Sequence, residues 1–172
     1  MVVYTLGHGT RPLEELVGLL VAARVQTLVD VRRYPSSRRN PQFNRSELEH
    51  ALAEAGIAYR HAIDLGGRLS KEPGAERFRC IRVEGFRAYA ARMTTPGWQA
   101  ALVSALAEPA PALMCSETPW TKCHRRLIAE FLHAHGHVVR HLVRPGLIQP
   151  HVPWDIAATR DDRLYLCGEL VG

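Results

Sequence analysis

The chain has 172 residues, of which 47% are hydrophobic and 23% are charged, a composition typical of a globular protein with one core. It contains no run of about 18 apolar residues, and no basic leader precedes an apolar stretch at the N-terminus. We therefore expect a cytoplasmic protein with no membrane partner. The formal net charge of +5 raises the expectation of an anionic partner.

The first third of the chain alternates short apolar strands with amphipathic helices. Residues 2–6 predict a strand, and a helix capped by Thr10 follows over residues 10–23. The apolar run 26–33 is typical of a strand buried on both faces. After a loop, a capping box from Asn44 to Glu47 opens a helix over residues 44–56, and residues 57–63 predict a third strand.

The same alternation continues toward the C-terminus. Helical stretches are predicted over residues 84–93 and 98–107, and a fourth strand over residues 111–117. The next helix is predicted to begin at residue 118, with a threonine cap followed by proline, and to stop at Gly136. Residues 137–143 predict a fifth strand.

This order of elements predicts one α/β domain over residues 1–172. The expected fold is an open, mostly parallel sheet of about five strands with helices on both faces, a Rossmann-like three-layer sandwich. The segment from about residue 145 is rich in proline and glycine, so we expect it to be irregular and to wrap back on the domain. A short last strand is predicted over residues 163–167.

The chain contains four cysteines, and we expect all of them to be reduced. A chain without a secretion signal favours free thiols over a disulfide framework. The four are Cys80, Cys115, Cys123 and Cys167.

Nearly all chemically capable residues lie in four loops that follow predicted strands. Their sequences are "GHGTR", "DVRRYPSSRR", "DLGGR" and "CSETPWTKCHRR". Open parallel sheets bind ligands beyond the carboxyl ends of their strands, where these loops meet. The sequence therefore predicts a shared site at that edge of the sheet.

The same loops carry a resemblance to a known family. The segments "YTLGHGTRPLEELVGLL", "LVDVRRYPSSRR" and "LMCSETPWTKCHRRLIAEFL" resemble the domain of unknown function 488 family over about residues 3–142. The resemblance implies a small cytoplasmic α/β protein of prokaryotic type whose matched polar motifs form a common pocket. It implies no reaction. His8 stands where many relatives have tyrosine, so it ranks below the other candidates.

Anion binding is the best-supported chemistry for these loops. The predicted helix start at Thr118 offers free N–H groups and a positive dipole end. Guanidinium groups fit phosphate or carboxylate oxygens in pairs, and Arg32, Arg38 and Arg125 are the candidates. Arg32 has a structural alternative, because it can pair with Asp30 or Glu117.

Two carboxylates are candidates for acid or base work. Glu117 follows the fourth strand, and Asp30 ends the second. A carboxylate at such a position acts as a general acid or base, or it serves only as an ion-pair partner for an arginine. Both interpretations of Asp30 stay open.

Two thiols and an imidazole make a second chemistry available. Cys115, Glu117, Cys123 and His124 are competent zinc or iron ligands. Helical spacing turns Cys123 and His124 inward, where Cys115 or Glu117 at the strand end can meet them. Alternatively, Cys123 is a nucleophile activated by His124, or both cysteines are merely buried packing residues.

Three functions follow from these sites. The first is an enzyme that acts on a phosphorylated or nucleotide-like small molecule, by hydrolysis or group transfer. The second is a non-catalytic nucleic-acid-binding module that uses the five arginines of residues 32–45. The third is a thiol- or metal-binding protein. No cofactor is required by the sequence.

Overall fold

The computed structural model describes all residues from Met1 to Gly172. The strands of its central sheet are β1 (Val2–Gly7), β2 (Thr27–Asp30), β3 (Ala58–His61), β4 (Pro111–Cys115), β5 (Val138–Arg144) and β6 (Leu147–Pro150). They lie in the order β3-β2-β4-β1-β5-β6. Pairings among β1 to β5 are parallel, and β6 returns antiparallel beside β5.

Five helices cover the two faces of this sheet. They are α1 (Leu13–Ala22), α2 (Arg45–Glu54), α3 (Glu84–Met93), α4 (Pro96–Leu106) and α5 (Arg125–Ala134). Leucines of α1 and α2 pack with Leu28 and Met114 in one core cluster. Residues of α3, α4 and α5 pack with Val29 and Leu113 in the other. The predicted three-layer α/β fold is confirmed.

The central strands are apolar because both of their faces are covered. β2 and β4 are buried at every residue, as expected for parallel strands between two helical layers. The chain order places β1 beside β4, although α1 follows β1 on one face and α5 follows β4 on the other. The crevice between the carboxyl ends of β1 and β4 is therefore a topological switch point, where open α/β sheets bind ligands.

Two predicted helix caps are wrong. α1 begins at Leu13 after Pro12, not at Thr10. Asn44 does precede α2, but its side chain makes no cap hydrogen bond. Instead, the Asn44 side-chain oxygen accepts the backbone N–H of Ser37 at 2.7 Å, which closes the arginine-rich loop.

The predicted helix start at Thr118 and Pro119 is also wrong. Only a single 3-10 turn forms over Trp120–Lys122, and α5 begins at Arg125. The Trp120 ring stacks on His141 of β5, with centroids 4.2 Å apart, and its Nε1 donates to Gln149 of β6. These contacts hold the segment against the sheet edge, so α5 does not extend toward the N-terminus through residues 118–124.

The C-terminal segment is more ordered than predicted. β6 and a second, antiparallel sheet of β7 (Ala157–Arg160), β8 (Arg163–Leu166) and β9 (Glu169–Leu170) occupy it. The expected strand at 163–167 is thus confirmed as β8. Leu164, Leu166 and Val171 join the core cluster on the α5 face.

A disulfide joins Cys80 to Cys167, so the expectation of four reduced cysteines is wrong for this pair. Cys80 precedes α3, and Cys167 follows β8, 87 residues later. The bond ties the small sheet to the start of α3. Cys115 and Cys123 are free and buried, as expected.

None of the five helices is both long and apolar enough to cross a bilayer.

Candidate functional site

A cavity of about 810 Å³ lies at the carboxyl ends of the strands. We call it the strand-end cavity. Its walls come from the loops that follow β1, β2, β3 and β4, together with the start of α3. Its volume is in the range of small-molecule sites. The four loops that the sequence singled out therefore do meet in one place.

The walls of the strand-end cavity are strongly cationic. Five side chains on them form no ion pair: Arg33, Arg38, Arg39, Arg68 and Lys122. The one carboxylate among the lining residues is Glu117, which also has no ion-pair partner. Uncompensated cations in a concave site raise the local concentration of anions.

Asp30 and Arg32 are paired with each other beneath this cavity. The Arg32 guanidinium donates three hydrogen bonds to Asp30, from Nε to both carboxylate oxygens and from Nη2 to Oδ2 at 2.6 Å. The Asp30 carboxylate also accepts the Arg32 backbone N–H. Tyr59 donates its hydroxyl to the same carboxylate. Asp30 is fully buried and does not line the cavity, whereas Arg32 does. The pair fixes the course of the arginine-rich loop.

Arg125 is turned away from the cavity and supports its wall. The side chain is 1% exposed, and its guanidinium donates to the carbonyls of Glu117 and Thr118 and to Thr5 Oγ1. It therefore holds the loop after β4 in place. The structure does not bring Arg125 together with the other predicted anion ligands, whereas Arg38 and Thr118 do line the cavity.

The loop after β4 carries free backbone donors. The N–H groups of Ser116, Glu117 and Thr118 donate to no backbone carbonyl, and these three residues line the cavity. Successive free N–H groups are favourable partners for an anion. The predicted donors near Thr118 thus exist, although they belong to a loop and not to a helix N-terminus.

His8 presents an unpaired nitrogen at the strand-end cavity. The side chain is 3% exposed and lines the cavity. Its Nδ1 donates to the Gly9 carbonyl at 2.8 Å, its ring stacks on Phe43, and the buried Nε2 has no partner. Burial lowers the pKa of His8 to about 4. At neutral pH, Nε2 therefore carries a lone pair that can accept a proton or a hydrogen bond.

Cys115, Cys123 and His124 form a cluster at the base of the cavity. Their Sγ and imidazole nitrogen atoms lie within 4.8 Å of one another, and all three residues are buried. Each Sγ lies 3.7 Å from His124 Nδ1. The inward orientation predicted for Cys123 and His124 is confirmed, and so is their meeting with Cys115. Glu117 is exposed and does not belong to the cluster.

The two thiols of this cluster have very different acidities. A hydrogen bond from Cys115 lowers the pKa of Cys123 to about 6, and the Arg125 charge acts in the same direction. The same hydrogen bond, with burial, raises the pKa of Cys115 to about 12. One thiolate, on Cys123, is therefore expected at neutral pH. Thiolates are the form of cysteine that attacks electrophiles and binds metals.

The arginine-rich loop does not form a continuous basic surface. Of its five arginines, Arg32 is paired with Asp30 and Arg45 with Glu49. Arg33, Arg38 and Arg39 remain, and they face the strand-end cavity together with residues from three other loops. This arrangement suits a compact anion better than an extended polyanion.

Several lining residues were not singled out from the sequence. Arg68 and Lys122 add charge, and Phe86 adds aromatic surface. Arg68 and Lys122 belong to the strand-end loops "DLGGR" and "CSETPWTKCHRR", so their position in these loops could have identified them as lining residues. Phe86 lies on α3, which no strand-end rule points to.

The fold and this site define a class: small α/β proteins with a cationic cavity at the switch point of an open parallel sheet. The chain belongs to the family described as Domain of unknown function DUF488, whose model matches residues 12–132. The match covers four of the five cavity-forming segments and begins after the lining residues His8, Gly9 and Thr10 of the fifth. No curated protein and no solved structure matches the chain.

Proposed function

We propose that the protein is an enzyme that acts on a phosphorylated or nucleotide-like small molecule in the strand-end cavity. The observation that carries the proposal is the set of five unpaired cations around a cavity with one carboxylate. Four of these cations (Arg38, Arg39, Arg68 and Lys122) are exposed, so the cavity presents concentrated positive charge to solutes that enter it. An anionic ligand compensates these cations, and charge-assisted hydrogen bonds to it are about twice as strong as neutral ones.

The cations have distinct places around the ligand. Arg33, Arg38 and Arg39 approach from the loop after β2, and Arg68 approaches from the loop after β3. Lys122 lies on the side of β4, beside the free N–H groups of the 116–118 loop. A phosphate group can thus be bound by guanidinium forks on one side and by backbone donors on the other.

Two aromatic side chains support a nucleotide-like ligand. Tyr34 and Phe86 line the same cavity, and Tyr34 is 60% exposed. A planar base gains stacking energy on such surfaces. The volume of about 810 Å³ is ample for a nucleoside and its phosphate.

Two groups in the cavity can move a proton. Glu117 is an exposed carboxylate in the loop after β4, and His8 offers its unpaired Nε2 after β1. We assign the acid and base work of a hydrolysis or group transfer to them, and Asp30 the task of holding Arg32. The low pKa of His8, about 4, keeps Nε2 unprotonated at physiological pH, so it can accept a hydrogen bond from the attacking group.

Calorimetric titration with a nucleoside monophosphate and with the matching nucleoside tests the proposal. The nucleotide should bind, and the nucleoside should bind far more weakly. Added salt should lower the affinity for the nucleotide. Arg68→Ala should reduce nucleotide affinity roughly 10-fold or more, the value of a charged hydrogen bond. Arg140→Ala removes the same charge from an exposed position outside the cavity and should change nothing. Equal binding of nucleotide and nucleoside contradicts the proposal.

The cytoplasmic location and prokaryotic origin remain proposals that follow from the family. The Cys80–Cys167 disulfide argues for an oxidising environment instead, because cytosolic disulfides are rare. Fractionation of cells that express the protein, followed by detection in each compartment, decides between the two.

A further inference from the structure

Three buried side chains with free lone pairs converge at the base of the strand-end cavity. From this convergence we infer that Cys115, Cys123 and His124 bind a zinc ion with one coordination position open to the cavity. All three residues are less than 10% exposed and all three line the cavity. Zinc binding is independent of the proposed anionic ligand, so each is tested separately.

The hydrogen bonding of His124 prepares it as a ligand. Its Nε2 lies 3.1 Å from the Val31 carbonyl, which can only accept, so the proton of the neutral ring is on Nε2. Nδ1 is therefore the unprotonated nitrogen, and it is the atom that both sulfurs surround. Metal-bound histidines typically donate their other nitrogen to a carbonyl or carboxylate in this way.

The spacing of the three atoms fits a tetrahedral ion. Zinc lies about 2.3 Å from sulfur and about 2.0 Å from nitrogen, so a tetrahedral S–Zn–N angle places the two atoms about 3.6 Å apart. Each Sγ lies 3.7 Å from Nδ1. Both sulfur–nitrogen distances are therefore within about 0.1 Å of the spacing expected around one tetrahedral ion.

Surrounding structure holds each ligand in place. Cys115 ends β4, and His124 is the residue before α5. The His124 ring lies 4.9 Å from the Tyr89 ring, and Tyr89 is anchored by hydrogen bonds to the Leu65 carbonyl and from Trp98. Such outer contacts keep ligands at metal-binding geometry without the metal.

Charge also favours this site. Two thiolates cancel the double charge of zinc, so the occupied site carries no net charge beside the arginines. Three protein ligands leave the fourth tetrahedral position empty, which is the arrangement of catalytic and not structural zinc sites. The ligands line the cavity, so a water or an oxygen of a small anion can occupy that position.

Cobalt titration of the reduced, chelator-treated full-length protein tests the inference. One equivalent of Co²⁺ should produce a thiolate-to-metal charge-transfer band and the visible bands of tetrahedral cobalt, and Zn²⁺ should abolish both. Loss of a residue that only hydrogen-bonds to a metal ligand typically lowers metal affinity about 10- to 100-fold. Cys123→Ser and Cys115→Ser each remove a ligand, so each should lower Co²⁺ affinity by more than that. The Cys80→Ser/Cys167→Ser double variant should retain both bands.

Alkylation of the wild-type protein guards against variants that fail to fold. Zinc should slow the reaction of both Cys115 and Cys123 with iodoacetamide, as seen by mass spectrometry. The inference is overturned if the reduced wild type shows no charge-transfer band, or if zinc does not protect the two thiols. It is also overturned if Cys115 and Cys123 are found joined in a disulfide and the protein still binds no metal after that disulfide is reduced. If Cys123→Ser has lost cobalt binding but still binds phosphate or a nucleotide, the anion site functions without the metal.

Discussion

Gly7, the last residue of β1, lets the loop after β4 approach the sheet. A Cβ at this position would lie 1.8 Å from the Glu117 carbonyl oxygen and 2.8 Å from an Arg125 guanidinium nitrogen. The close approach brings Glu117 and Thr118 to the strand-end cavity. Glycine is thus required here by space and not by an unusual backbone angle.

Gly7→Ala should destabilise the protein by about 2–3 kcal/mol, because the Glu117 backbone must move. Gly18→Ala is the matched control: Gly18 lies within α1 with no atom within 4 Å of the added Cβ. That substitution should stabilise by about 0.5–1 kcal/mol, the helix preference of alanine over glycine. Urea unfolding of both variants gives the measurement, and equal free energies of unfolding would refute the steric argument.

Asp30 gives a second prediction at the residue scale. Its buried carboxylate accepts from Arg32 and Tyr59, so Asp30→Asn leaves the Arg32 charge without its partner. We expect a loss of about 3–5 kcal/mol, the cost of breaking a buried pair from one side. Tyr59→Phe removes one hydrogen bond and should cost about 1 kcal/mol.

Two measurements separate a supporting role of Asp30 from a catalytic one. They are the free energies of unfolding of these two variants and their affinities for the nucleotide. A stable Asp30→Asn protein that binds nucleotide normally but has lost catalysis would show that Asp30 works as an acid or base. That result would contradict its assignment as a support for Arg32.

A buried polar chain links elements on the far side of Arg125. Thr5 of β1 bonds to His141 Nδ1 of β5 at 2.7 Å, and His141 Nε2 lies 3.3 Å from His151 Nδ1. His151 Nε2 in turn lies 3.3 Å from the Glu130 carboxylate of α5. The chain therefore joins the sheet to α5 through groups that are less than 10% exposed.

The acid stability of the protein should depend on this chain. Burial, together with smaller contributions from His151 and Arg125, lowers the pKa of His141 from 6.5 to about 3. The unfolded chain therefore takes up a proton as pH falls through 6.5, while the folded protein does not. Stability is complete above that pH and is lost toward pH 3, at up to about 1.4 kcal/mol per pH unit for this group.

Urea unfolding of wild type and His141→Gln, measured from pH 7 down to pH 5, checks the prediction. The slope of unfolding free energy against pH should be smaller in His141→Gln by the contribution of one histidine. His8, whose pKa is also lowered, should leave a residual slope in both proteins. Identical slopes would mean that His141 is protonated alike in folded and unfolded states.

At the scale of elements, local patterns predicted the five parallel strands, β8 and the presence of all five helices, but not β6, β7 and β9 or the starts of α1 and α5. The threonine and proline at 118 and 119 are good start signals, yet Trp120 stacks on His141 and Arg125 binds the carbonyls of Glu117 and Thr118. These partners come from distant parts of the chain. Capping preferences are local, so they do not account for such contacts.

For the whole molecule, the alternation of strands and helices was enough to predict the sheet and the edge at which its loops form the strand-end cavity. The pairing of arginines was not, because which of them find acidic partners depends on the folded positions of Asp30 and Glu49. The Cys80–Cys167 bond escaped for the same reason, because it joins residues 87 apart in sequence. The small C-terminal sheet pairs strands that are adjacent in sequence, but β7 and β9 have only four and two residues, too few to show a clear alternating pattern.

Reduction of this disulfide should destabilise the whole protein. The bond closes a loop between residues 87 apart, which by chain entropy is worth about 4 kcal/mol. Dithiothreitol should lower the free energy of unfolding of wild type by an amount of that order. It should have no such effect on the Cys80→Ala/Cys167→Ala variant. No loss in wild type would show that the small sheet is held by packing alone.

A crystal structure of the protein with a nucleoside monophosphate tests the central claim most directly. The account predicts phosphate density in the strand-end cavity, within hydrogen-bonding distance of Arg33 or Arg68 and of the 116–118 loop, with the base near Tyr34 or Phe86. Ligand density outside the cavity, with the five cations of its walls left without an anion, would contradict it.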